Sequence, residues 1–163
     1  MRFIRFSMGL AGAAALGLLA ACAPIAPAPP PAAAEAVPPA CTPAAPGEAL
    51  VGNWLSVAAQ QGVAGSVRTL FTLSSDGTMS YVEQVKRPRT PSQGLEESGC
   101  WSRQGDALVL RTLQSNGLPV SLDDPIYTNR YRVVRVDAAS LRLQGPQGQV
   151  KAKRMAPGYR LPF

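Results

Sequence analysis

Three cysteines, at positions 22, 41 and 100, carry the strongest nucleophiles in the chain, and histidine is absent. Those two facts narrow the chemistry. Without an imidazole, neither a Ser-His-Asp nor a Cys-His site can be assembled. A histidine-ligated zinc is excluded, and three thiols so far apart in sequence do not make a thiolate site. No side chain is left whose ordinary pKa falls near neutrality. Two acidic doublets remain. Glu96 and Glu97 close the stretch KRPRTPSQGLEE, residues 86–97, which reads as a mobile loop with charges at both ends. Neighbours on such a loop have no fixed separation, and acid–base catalysis needs one. Asp123-Asp124-Pro125 reads as a turn before it reads as a metal site. Lys86, Arg87 and Arg89 could grip an anionic partner, such as a lipid headgroup or a polysaccharide, but a plain solvated loop is the simpler reading. The expectation is a protein with no catalytic residues, no metal and no cofactor.

The chain has 163 residues, enough for one domain plus targeting elements. Its 16 Lys+Arg outnumber its 10 Asp+Glu. The arginines are scattered, with no dense basic run interleaved with aromatics, so nucleic acid is not an expected partner.

The N-terminus explains the first cysteine. Arg2 and Arg5 precede an uncharged apolar run, MGLAGAAALGLLAA, at residues 8–21. A basic start, a short apolar core and small residues at its end describe a secretory signal peptide, residues 1–21. The run falls short of the about 20 residues a spanning helix needs. Leu19-Ala20-Ala21-Cys22 resembles a bacterial lipobox. That resemblance implies cleavage before Cys22, a diacylglyceryl group on its thiol, and usually an acyl chain such as palmitate on the new amine. Each buried methylene contributes about 0.8 kcal/mol, so two or three chains hold firmly where one does not. Ala23 stands where an aspartate would favour inner-membrane retention. The resemblance therefore implies the periplasmic face of the outer membrane, with the inner membrane as the lesser alternative.

Residues 22–48, CAPIAPAPPPAAAEAVPPACTPAAPGE, contain nine prolines and ten alanines. Such a tract cannot bury a core and is expected to be a disordered, semi-rigid tether, reaching roughly 80 Å at about 3.1 Å per residue. If lipid consumes Cys22, two thiols remain in an oxidising compartment, and an even count reads as a Cys41–Cys100 disulfide. The alternative leaves Cys100 as a small core residue and Cys41 as a free or intermolecular thiol.

From residue 49 to 158 the texture becomes that of a β domain, followed by a tail at 159–163. Short alternating runs separated by turn residues give eight strands, at 50–57, 67–73, 78–85, 98–103, 107–113, 126–136, 140–144 and 149–155. Ser75-Asp76-Gly77 is a tight hairpin signal. Val67, Thr69, Phe71 and Leu73 share one face, as do Met79, Tyr81 and Val85. Leu108, Leu110, Tyr131, Val133, Leu141 and Leu143 complete the expected core. Eight short antiparallel strands must stack or close, and closure removes exposed edges. The expected fold is all-β: a small eight-stranded antiparallel up-and-down barrel, wide enough for its own side chains or one small ligand.

Gly52-Asn53-Trp54 resembles the G-x-W signature of lipocalin-like domains. Leu73-Ser74-Ser75-Asp76-Gly77-Thr78 resembles their L-x-x-D-G-T hairpin. The stretch from Gly99 through Trp101 and Gly105-Asp106 to Leu108 resembles the G-x-W-x-x-x-G-D-x-L hairpin of small bacterial lipocalin-like lipoproteins. The resemblance covers roughly residues 50–155. It implies that Gly52 and Trp54 form the barrel floor, with a basic residue of the last strand packed across the indole: Arg154 first, Lys153 second. Trp101 is expected in the core. The implied function is a membrane-anchored periplasmic binding module for a small apolar ligand or an envelope component. The alternative is a protein-interaction module, such as a protease-inhibitor-like or envelope-complex accessory lipoprotein.

Overall fold

The computed structural model describes residues 39–59, 64–87 and 93–162. The segment expected to be a signal peptide, Cys22, most of the Pro/Ala tract and Arg89 lie outside the described residues. Within them the chain forms nine strands: β1 (Gly52–Ala58), β2 (Ser66–Leu73), β3 (Thr78–Lys86), β4 (Gln93–Gln104), β5 (Ala107–Ser115), β6 (Leu118–Pro119), β7 (Thr128–Val136), β8 (Ser140–Gly145) and β9 (Gly148–Met155). Each long strand pairs antiparallel with its successor, β4 with β5 and β5 with β7, and β9 returns to β1. The result is a closed eight-stranded up-and-down barrel. The two-residue β6 is an extra piece that pairs only with β5.

Alternation decides which side chains fill it. Trp54 stands opposite Phe71, and Phe71 opposite Tyr81, so one parity on β1, β2 and β3 points inward. The core gathers Leu50, Trp54, Phe71, Leu73, Met79, Trp101, Leu108, Leu110, Leu141, Leu143 and Ala152. Phe71 meets Tyr81 and Tyr131 edge to face, with centroids 5.2 and 6.0 Å apart. Such pairs contribute about 0.5–1.5 kcal/mol beyond area burial. Leu108 faces Tyr131 as the pattern suggests, while Leu110 stands opposite Asn129.

The strands depart from the sequence reading at β4. The alternation predicts a strand from Ser98, with Glu96 and Glu97 on a loop. The strand in fact starts at Gln93, with Glu97 opposite Tyr81 and Glu96 opposite Val82. The cause is pairing: without this half of β4, the length of β3 would be an open edge of unpaired backbone groups. A register shift at Ser98/Gly99 then resets the pairing with β5. The strand expected from Ile126 starts at Thr128, because Pro125–Tyr127 form a 3₁₀ turn capped by Asp124, whose side chain accepts from the Ile126 N–H.

Residues 39–48, read above with the linker, and 159–162, read as tail, both lie against the barrel. The Ala44 N–H donates to Ser75 O at 2.9 Å, and Glu48 pairs with Arg103 at 3.0 Å. Gln84, fully buried on β3, donates to Pro162 O, and Leu161 is buried beside the outer wall.

Candidate functional site

The barrel floor is built around Trp54. Its Nε1–H donates to Leu50 O at 2.8 Å, and the Arg154 guanidinium lies 4.0 Å over its ring. Register places the two directly opposite each other on β1 and β9. Arg154 also donates to Val51 O, Ala49 O and Ala138 O, at 2.7, 2.8 and 2.9 Å. One side chain thus ties the entry into β1 and the β7–β8 turn across the indole. Gly52 makes room: its φ is +142°, and a Cβ there would sit 2.2 Å from Arg154 Nη1. Lys153, the second choice, points outward and is exposed. Trp101 is buried, with its Nε1–H donating to Ser74 O.

The remaining thiols are joined. Cys41 and Cys100, 59 positions apart in sequence, form a disulfide with Cα atoms 5.2 Å apart. It draws residues 39–45 across the β2–β3 hairpin. Gly77 lies directly beneath, where a Cβ would come within 2.0 Å of Thr42 O.

Higher in the barrel the lining turns polar. Tyr81 donates to Glu83 at 2.6 Å and Thr112 to Glu97 at 3.3 Å. Burial and the hydrogen bond to Glu83 push the Tyr81 phenol far above its ordinary range. Burial raises Tyr131 as well, helped by the charges of Glu83 and Glu97. Burial also raises Glu97, with the Glu83 charge adding and the Thr112 bond opposing. The two phenols therefore keep their protons at neutral pH, and Glu97 binds its proton more tightly than an ordinary carboxyl. The Tyr81–Glu83 and Thr112–Glu97 bonds run along this lining beside Tyr131. Among the described residues no group of three or more Cys, Asp and Glu side chains is placed to hold a metal ion. Sequence reading missed Glu83 and Glu97 as interior residues. The signal was parity: Met79-Tyr81-Glu83-Val85 and Leu95-Glu97-Gly99-Trp101 each keep one face.

Two grooves lie outside the barrel wall. One, of about 430 Å³, runs between the stapled segment and the β5–β7 connection, over Cys100, Val109 and Leu122. On that connection Leu118 and Ile126 are each 71% exposed and Leu122 41%. The other, of about 650 Å³, lies over β1, β9 and β8. Lys86 and Arg87 are exposed at the end of β3 and its following turn.

The architecture is that of a closed meander barrel with a tryptophan–arginine floor and a disulfide-stapled N-terminal approach. No protein-family model and no curated protein matches the chain.

Proposed function

We propose that this protein is a lipid-anchored, non-enzymatic module of the bacterial envelope whose barrel engages a partner protein through its outer surface. The observation that carries the reading is the β5–β7 connection. Three large apolar side chains, Leu118, Leu122 and Ile126, stand exposed within nine positions of one another along the chain, and Leu122 lines the groove at the staple. Large apolar side chains held exposed along one short connection point to an interaction surface. The interior supports a protein partner over a small apolar ligand. Trp54, Phe71, Leu73, Leu108, Leu141 and Leu143 are fully buried there and occupy the space such a ligand would need. An envelope-complex accessory and a protease-inhibitor-like protein both fit this reading. The anchor rests on Leu19-Ala20-Ala21-Cys22.

The test is a photo-cross-linking residue placed at Leu118 or Ile126 in the full chain, expressed in an exporting bacterium. A discrete product from both sites, missing from a control site at Gln147 in the β8–β9 turn, supports the reading. Identical patterns from all three sites, or none, overturn it. Cys22→Ser in the same cells should abolish the acyl mass and the membrane fraction; a variant that keeps both refutes the anchor.

A further inference from the structure

The charges of the barrel wall are sorted by strand. The carboxylates Glu83, Glu96 and Glu97 sit on β3 and β4. Strands β7, β8 and β9 carry no carboxylate at all, and their outward positions include Arg132 and Arg135, Arg142, and Lys151 and Lys153. Register makes this pattern costly. Arg135 stands opposite Arg142, and Arg142 opposite Lys151, so three cations form a row across three strands. Like charges directly opposite on a sheet repel. Arg135 is relieved by Asp137 at 3.0 Å in the β7–β8 turn. Among the described residues, Arg142, Lys151 and Lys153 make no ion pair.

The same wall carries a groove and is partly apolar. The groove over β1, β9 and β8 is lined by Leu55, Val57 and Met155, with Arg142, Lys151 and Lys153 beside them. Val57 is 56% exposed. A recess of about 650 Å³ with apolar lining and cations beside it suits inserted side chains; a lipid bilayer presents a broad flat surface instead. Position in the closed sheet points the same way. β9 lies four strands from β4 in either direction, so this wall faces away from the Cys41–Cys100 staple where the N-terminal segment joins.

We infer that the outer wall of β1, β9 and β8 is a second binding surface, which takes an extended acidic polypeptide segment with apolar residues interspersed. Carboxylates on the segment would neutralise the unpaired Arg142, Lys151 and Lys153, and its apolar side chains would cover Leu55, Val57 and Met155. This surface is separate from the β5–β7 connection, and neither assignment depends on the other.

The experiment uses the full chain at physiological salt. The probes are a short fluorescein-labelled peptide alternating glutamate with leucine and glycine, its glutamine counterpart, and phosphatidylcholine vesicles containing a quarter phosphatidylglycerol. The acidic peptide should bind and the glutamine peptide should not. Arg142→Glu with Lys151→Glu should weaken binding at least roughly tenfold, and Arg142→Gln with Lys151→Gln by a smaller factor in the same direction. Lys86→Glu with Arg87→Glu, an equal change of net charge elsewhere, should alter it less than about twofold. Equal losses from the two reversals would reduce the effect to net charge and overturn the assignment. So would vesicle binding that depends on Arg142 and Lys151 while peptide binding does not, and so would no peptide binding at all. The cross-link from Leu118 reads the proposed function separately, so either can fail alone.

Discussion

Removing the Cys41–Cys100 bond should cost about as much as the most damaging core substitution, although the bond sits outside the core. The two residues are 59 positions apart. Closing a loop of that length removes unfolded-state entropy amounting to about 4 kcal/mol at 25 °C in the chain-entropy model, an upper figure. The folded state loses less. With the bond cut, the Ala44–Ser75 hydrogen bond and the Glu48–Arg103 pair still hold the approach to β1. That pair is partly solvated and contributes at most about 1 kcal/mol. The loss therefore acts chiefly through the unfolded chain. Urea denaturation of oxidised protein, reduced protein and the Cys41→Ser, Cys100→Ser double variant measures it. With a slope of about 2 kcal/mol per molar, the midpoint should fall by about 2 M. The slope itself should steepen, because the open chain exposes more surface on unfolding. The reduced protein and the double variant should coincide. A midpoint shift below about 0.5 M with unchanged slope would refute the reasoning, because the long loop would then impose no constraint on the unfolded chain.

Trp54→Ala should destabilise the barrel by about 3–5 kcal/mol in the same denaturation assay, as a buried floor requires; a loss under about 1 kcal/mol would place the indole in solvent. Arg154→Ala should cost on the order of 3 kcal/mol, because three carbonyls lose a charged donor and the indole its cation. Gly52→Ala should be strongly destabilising alone and cost less in the Arg154→Ala background, where the collision with the guanidinium is gone and only the strain of the positive φ is left; additive losses would show that φ alone is at issue. Glu97, raised by burial, binds its proton more tightly folded than unfolded, so its ionisation opposes folding. That penalty is absent below its unfolded pKa and fully present above the folded one. Glu97→Gln should therefore raise stability at pH 7 with a gain that fades towards pH 4, and a pH-independent gain would contradict this.

Alternation and turn chemistry made most of the barrel readable in advance. The faces of β2 and β3 follow from Phe71, Leu73, Met79 and Tyr81, and Gly77 marks their hairpin. The Trp54–Arg154 floor came through a motif resemblance, since no local pattern ties residues 100 positions apart. The first half of β4 was hidden because QGLEE has poor strand composition and is ordered by its neighbours on β3. Interior carboxylates were hidden for a related reason. A glutamate inside a barrel contradicts the usual rule, and only the pairing partners of Glu97 reveal its orientation. The basic row on β7, β8 and β9 needs three registers at once, and a one-residue slip in any strand would dissolve it. Composition alone also assigned 41–48 to the linker, because it cannot show that a distant cysteine fastens that stretch to the hairpin.

The staple also decides how the domain answers a mechanical load. Tension applied to the chain ahead of Cys41 passes through the disulfide into Cys100, in the interior of the long strand β4. β4 is held on both sides, by β3 and by β5, so the force is spread over two ladders of hydrogen bonds. Residues 42–51, held to the barrel by their own contacts, are bypassed by the load. Once the bond is reduced, the same tension runs along the backbone. It meets the Ala44–Ser75 contact first, then the grip of Arg154 on Ala49 and Val51, and then the end of β1, which it would peel from β2 and β9 one pair at a time. Oxidation thus moves the point of loading from the free approach to β1 to the interior of a strand paired on both sides.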